Sequence, residues 1–213
     1  AEIFKRKLAN SKIGPVVVHM PYLPNLASPR QGIYRASVKS LVTEVQRCEL
    51  LNVAYLVVHL GSHLGSGAVA GSDRIVQALS EALIGGGTTI LLENTAGSRN
   101  SMGSTFDEIS GILDRVGKAV SVCLDTCHAF ASGYDLRDEV AIDGTLGEFD
   151  ELIGMKRLRV IHVNDSKGAL GSRLDRHEHV GLGKIGNGGF RRFLTHPKVR
   201  GIPLILETPI DRR

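Results

Sequence analysis

The sequence predicts an α/β fold of parallel strands arranged as a TIM-type (β/α) barrel. Three observations predict it. Short β-branched runs alternate with amphipathic stretches along the chain, those stretches repeat with a helical period, and a His, Asp or Glu stands at or beside the end of every run. Alternation of this kind forces parallel pairing through crossover helices, leaving an open doubly wound sheet or a closed barrel. Only strand ends that converge on one face bring the third set of residues together, which favours the barrel.

In order, strands are expected at residues 16–19, 55–59, 89–93, 120–125, 159–163 and 203–207. Between the first two, Val38, Leu41, Val42, Val45, Cys48 and Leu51 fall on one helical face. Ile75, Val76, Leu79 and Leu83 repeat the pattern after the second strand, and Phe106, Ile109, Leu113 and Val116 after the third. Glycines gather just beyond strand ends, as in the run from Gly61 to Gly67, where the chain must turn sharply or approach a ligand.

With 213 residues and 42% hydrophobic composition, the chain can bury one sizeable core, and a single domain over 1–213 is expected. A net charge of +4 mildly favours a polyanionic partner. Three cysteines, Cys48, Cys123 and Cys127, argue for free thiols in a reducing compartment, so a cytoplasmic location is expected. No apolar run approaches the roughly 20 residues needed to span a bilayer, and the first residues lack a signal-peptide core, so no membrane partner is expected.

The chemistry collects at the strand ends: His19, His59, Glu93, Asp125, His162 and Glu207. Taken singly, Asp125 or Glu93 would serve equally well as a helix cap or a buried hydrogen-bond partner. Taken together, imidazoles and carboxylates without a matched thiol pair suit zinc, or less selectively manganese or iron. Two further segments add candidates, Asp125-Thr126-Cys127-His128 and Asp175-Arg176-His177-Glu178-His179. Asp175 and His177 point the same way on an extended backbone. Cys123 and Cys127 lack the CxxC spacing, so packing is their expected role, and His63 and His196 have no ligand partner at a telling spacing.

The segments Glu93-Asn94-Thr95-Ala96-Gly97, Cys123-Leu124-Asp125-Thr126-Cys127-His128 and His162-Val163-Asn164-Asp165-Ser166-Lys167 closely resemble the endonuclease IV family of apurinic/apyrimidinic endonucleases, within the xylose isomerase-like TIM barrels. Further matches at His59-Leu60-Gly61-Ser62-His63, around Asp175-Arg176-His177 and at Pro203-Leu204-Ile205-Leu206-Glu207-Thr208 extend the likeness from His19 almost to the end.

The resemblance implies a DNA-repair hydrolase that cleaves duplex DNA 5′ to abasic sites, with accessory 3′-phosphatase or 3′-phosphodiesterase activity, through three Zn²⁺ ions. It places His19 and His59 on one zinc, Asp125, His162 and Glu207 on a second, Glu93 between them, and His128, Asp175 and His177 on a third. His179 shares the alternation of His177 and competes for its role. Glu93 and Glu207 would orient the nucleophile; Tyr22 resembles the aromatic that stacks at the lesion, with plain core as its other reading; and Arg176 and Lys167 would touch phosphates. The enzyme is expected to act as a monomer, associated with the nucleoid in a bacterium. Six strands do not close an eight-stranded barrel, so two N-terminal βα units and a final helix are expected to be missing. The alternatives are a metal-dependent sugar isomerase or epimerase of the same barrel superfamily and a non-catalytic DNA-binding barrel.

Overall fold

The computed structural model describes residues 1–83 and 87–210. Its sheet is parallel and six-stranded, in the order β1 (Val17–His19), β2 (Tyr55–His59), β3 (Thr89–Glu93), β4 (Val120–Asp125), β5 (Leu158–His162) and β8 (Leu204–Ile205). A short antiparallel pair, β6 (Asp165–Ser166) and β7 (His177–Glu178), occupies the connection between β5 and β8. Helices α1 (Glu2–Ser11), α2 (Gln31–Leu51), α3 (Ala68–Ala82), α4 (Phe106–Val116), α5 (Thr126–Ser132), α6 (Glu139–Leu152) and α7 (Gly186–Thr195) complete the alternation. Among the described residues no helix is long and apolar enough to cross a membrane.

The sheet is curled into an incomplete barrel. Four strand spacings of about 4.8 Å would set β1 and β5 roughly 19 Å apart in a flat sheet. The His19 and His162 rings nevertheless stack with centroids 5.8 Å apart. Period-two alternation then gives each strand a concave and a convex side. Val57, Leu91, Cys123 and Val160 form a small buried layer inside the curl. Leu56, Val58, Ile90, Leu92, Val122, Leu124 and Ile161 face outward into the main core, which the helices cover with Val38, Leu41, Ile75, Leu79, Phe106 and Ile109 among others.

Register decides which residues crown the inner layer. His59 lies opposite Glu93. Between β4 and β5 the pairing starts with Val122 opposite Leu158, and that register alone would set Asp125 against Ile161. An irregularity between Val122 and Cys123 shifts it by one residue and sets Asp125 against His162. Because a one-residue slip turns a side chain to the other face, this irregularity is what keeps both residues on the concave side.

The strands at 55–59, 89–93 and 120–125 have the expected bounds, and β5 begins and ends one residue early. The last strand is shorter than expected. As an edge strand it pairs only Leu204 and Ile205 with β5, so Glu207 sits two residues beyond it on irregular chain.

Buried Asp165 fastens the loop that follows β7. Its carboxylate accepts backbone N–H bonds from Ser166, Gly181, Gly183, Ile185 and Gly186 at 2.8–3.1 Å. Gly183 is required there because any Cβ would press on that carboxylate and on the Ser166 carbonyl. Asp165→Ala leaves those donors without an acceptor and is expected to cost about 2–4 kcal/mol. A denaturant midpoint within experimental error of wild type would contradict that role.

Candidate metal centre

Glu93 is fully buried at the end of β3, and its partners come from three other strands. Oε1 lies 2.8 Å from His162 Nδ1, and Oε2 lies 3.0 Å from His19 Nε2 and 3.3 Å from His59 Nδ1. His162 Nδ1 also reaches Glu207 Oε2 at 3.1 Å. A second knot surrounds His128, whose Nε2 lies 3.2 Å from Asp175 Oδ1 and 3.4 Å from His177 Nε2.

Donor atoms gather in groups, each within 4.8 Å: His19, His59 and Glu93; Glu93, Asp125, His162 and Glu207, which shares Glu93 with the first; and, separately, His128, Asp175 and His177. Such spans suit a shared cation with bonds of about 2.1 Å. His177, on β7, joins this last group, whereas His179 turns its Nδ1 to Glu178 Oε1 at 3.1 Å. His63 instead accepts the Gly65 and Gly67 backbone N–H groups, and His196 pairs with Asp143, away from the centre.

The ring orientations fit a metal. His19, His128 and His177 each hold Nδ1 against a backbone carbonyl, that of Met20 at 2.8 Å, Asn94 at 2.9 Å and Glu207 at 3.1 Å. In each case Nε2 is left facing the cluster, the outer-shell arrangement that orients a metal-binding imidazole. The carboxylates are braced as well. Asp125 Oδ1 caps α5 by accepting from His128 N at 2.7 Å, while Oδ2 accepts from Asn164 Nδ2 at 2.6 Å and faces the cluster. Helix cap and cluster carboxylate are therefore both true of Asp125.

Sequence reasoning assigned no role to the two buried asparagines. Asn94 binds the Asp125 backbone on both sides, accepting from its N at 2.7 Å and donating to its O at 3.0 Å. Asn164 accepts from Glu207 N at 2.8 Å while holding Asp125, so it ties the end of β4 to the chain beyond β8. Their positions, one and two residues after Glu93 and His162, are the signal that marks them. Cys127 Sγ also falls within 4.8 Å of donor atoms of Asp125 and His177, and burial pushes its thiol up to about 12.

A profile of the xylose isomerase-like TIM barrels matches residues 1–212. The chain is 54% identical to the probable endonuclease 4 of Methanoculleus marisnigri, over all of this chain and 77% of that protein. It is 51% identical to the probable endonuclease 4 of Cenarchaeum symbiosum, over 99% of this chain and 77% of the relative. The chain belongs to the endonuclease IV family. The crystal structure of endonuclease IV from Thermus thermophilus superimposes with a TM-score of 0.87 at 36% identity, covering 99% of this chain and 75% of that one. A D-tagatose 3-epimerase-like protein superimposes at 0.75 with 21% identity, covering 98% of this chain and 76% of that one, which shows the shared barrel alone. The protein is thus an endonuclease of this family and DNA is its substrate.

Two contiguous cavities open over the cluster of this nuclease. One, of about 220 Å³, is lined by His19, Tyr22, His59, Glu93, His128, Asp175, His177 and Glu207. The other, of about 330 Å³, shares Tyr22, His59, His128 and Asp175 and extends to Asn25, Ser62 and Arg99. Tyr22 is 76% exposed and sets its ring edge-on to His59 at 5.5 Å, which corrects the reading of it as core. Lys167 and Arg176, exposed just after β6 and just before β7, line neither cavity. The larger cavity and Arg99 had no forewarning in residue type or spacing.

The electrostatics of the endonuclease's cluster follow from packing carboxylates and imidazoles together in low dielectric. Burial works against charge on His128, but Asp125, Asp175 and Glu93 outweigh it and raise its pKa to about 10. Burial is likewise outweighed at His19 and His162, which Glu93 helps to raise, and at Glu93, which hydrogen bonds from His162 and His19 hold well below the usual carboxylate range. His59 moves down because burial dominates there. His128 thus binds its proton more tightly folded than unfolded, so the stability it lends is complete below pH 6.5 and is lost as pH climbs towards about 10. His59 is silent in that window, being neutral in both states. The melting temperature of chelator-stripped protein is therefore expected to fall from about pH 6.5 to about pH 9 at constant ionic strength. A flat or rising profile contradicts this charge balance.

Proposed function

We propose that the chain is a zinc-dependent DNA-repair phosphodiesterase. It hydrolyses duplex DNA 5′ to abasic sites, shows 3′-phosphatase and 3′-phosphodiesterase activity at the same centre, and acts as a monomer. The observation that supports this most is that the buried carboxylate of Glu93 belongs both to the group with His19 and His59 and to the group with Asp125, His162 and Glu207, in a chain of the endonuclease IV family. His19 and His59 would hold one Zn²⁺, Asp125, His162 and Glu207 another, Glu93 both of these, and His128, Asp175 and His177 the third. Mn²⁺ or Fe²⁺ would be tolerated by the same donors. Bound there, zinc supplies Lewis acidity, bringing the ionisation of water close to neutral pH and offsetting charge on the phosphodiester.

The chain's own residues do the rest. Glu93 and Glu207 bracket His162 Nδ1 from two sides and orient the attacking water by accepting its hydrogen bonds. Asn164 ties the Glu207 backbone to the Asp125 carboxylate and so keeps the two residues in a constant relation. Tyr22, exposed at the mouth, offers a ring face to the gap left by the lost base, and Arg176 and Lys167 contact flanking phosphates. An abasic nucleotide lacks its stacking partner, so drawing it into the cavity costs less than flipping a paired base. On this reading the free edges at β1 and β8 are where two further βα units would close the barrel.

The test is nicking of an oligonucleotide duplex carrying one tetrahydrofuran abasic mimic. Native enzyme is expected to cut 5′ to the mimic and chelated enzyme to stop, with zinc restoring activity. Glu93→Gln should lower kcat on the order of 10²–10³-fold or more, since the neutral amide forfeits a charge that both adjoining donor groups use. Equal cutting of undamaged duplex, or metal-independent cutting, would sink the proposal.

A further inference from the structure

The larger cavity carries a cation that the cluster does not use. Arg99 stands at the tip of the loop after β3, with φ at 48°. That left-handed conformation favours glycine or asparagine, and an arginine there gains nothing from local backbone preference. Nor does it gain from packing or pairing. Arg99 is exposed, and among the described residues no hydrogen bond or ion pair engages its guanidinium, not even with Asp175 across the same cavity.

The loop tip is nevertheless held firmly. Ser101 N donates to Ser98 O at 3.0 Å and closes a tight turn around Arg99 and Asn100. His63 N donates to Asn100 O at 3.0 Å and Met102 N to Gly61 O at 2.9 Å, fastening the turn to the loop after β2. Asn25 in turn bonds Ser62 in both directions, at 3.0 and 2.9 Å, which adds the loop after β1. Three strand-end loops are thereby cross-linked into one wall of the cavity, with an unpaired guanidinium on it and with Ser98 and Ser101 hydroxyls beside it. The opposite wall is the cluster itself, through His59, His128 and Asp175.

We propose that Arg99 is an anion subsite for the substrate strand, taking a phosphodiester next to the one being cut. The assignment rests on the function proposed above. A guanidinium offers the planar donor fork that matches phosphate oxygens, and a pre-formed turn spends little entropy on presenting it. Because the contact is made to a phosphate away from the reacting bond, it exists in the bound state and the transition state alike. It therefore acts on substrate affinity and leaves the chemical step unchanged.

The experiment compares wild type with Arg99→Gly, Arg99→Ala and Arg99→Lys in steady-state nicking of the tetrahydrofuran duplex over a range of salt concentrations. Arg99→Gly accepts the left-handed backbone without strain, so its melting temperature should match or exceed that of wild type. It and Arg99→Ala should raise KM about tenfold, leave kcat within about twofold, and make the dependence of log kcat/KM on log salt less steep by about one. Arg99→Lys should restore the slope. A wild type that nicks while Arg99→Gly keeps its KM and slope overturns this assignment alone. So does a KM increase with unaltered slope that lysine fails to rescue, which would mean loop shape and not charge. A wild type that does not nick overturns the function proposed above and this assignment with it.

Discussion

The structure turns on a carboxylate buried from bulk solvent. Glu93 closes β3 at the bottom of the cavity, and a buried charge of this kind is tolerated only where opposite charge and hydrogen-bond donors surround it. Three further acids, Asp125, Asp175 and Glu207, face the same space. Imidazoles bring protons to this excess of negative charge, and divalent cations would neutralise it more completely. The same imbalance that raises His128 and His162 in the metal-free chain makes the site a receptor for cations, whose binding must then displace those protons.

Backbone geometry meets the demand in two ways. Parallel strands of a curled sheet end on one rim, which sets residues from His19 to Glu207 within reach of one another. The rim is then trimmed by local devices: the register irregularity at Val122 and Cys123, the Asn94 clasp on Asp125, and the Asn164 bridge to Glu207. Beneath it, Val57, Leu91, Cys123 and Val160 seal the inner side of the sheet, so the ligand layer rests on dry packing.

Much of this was legible from residue order because the relevant signals are local. Short β-branched runs ending in His59, Glu93 and Asp125 define three strands to the residue, and a parallel α/β reading follows from their alternation with helices. That these ends would meet was legible from the same rule of topology. Sequence was silent where the outcome depends on contacts between distant segments. Glu207 lies beyond its strand because an edge strand has one neighbour to extend it. The preference for His177 over His179 depends on β7 pairing with β6. Arg99 owes its place at the cavity to a turn held through backbone atoms, which carry no residue-specific pattern.

As one polynuclear centre, His19, His59, Glu93, Asp125, His128, His162, Asp175, His177 and Glu207 would bind several ions in each chain. Zinc content per folded chain, determined by elemental analysis after loading and exhaustive dialysis, tests it most directly. Three zinc ions are expected per wild-type chain, and two when His177 is replaced by alanine. One ion or none, or three that survive replacement of His177, would contradict it.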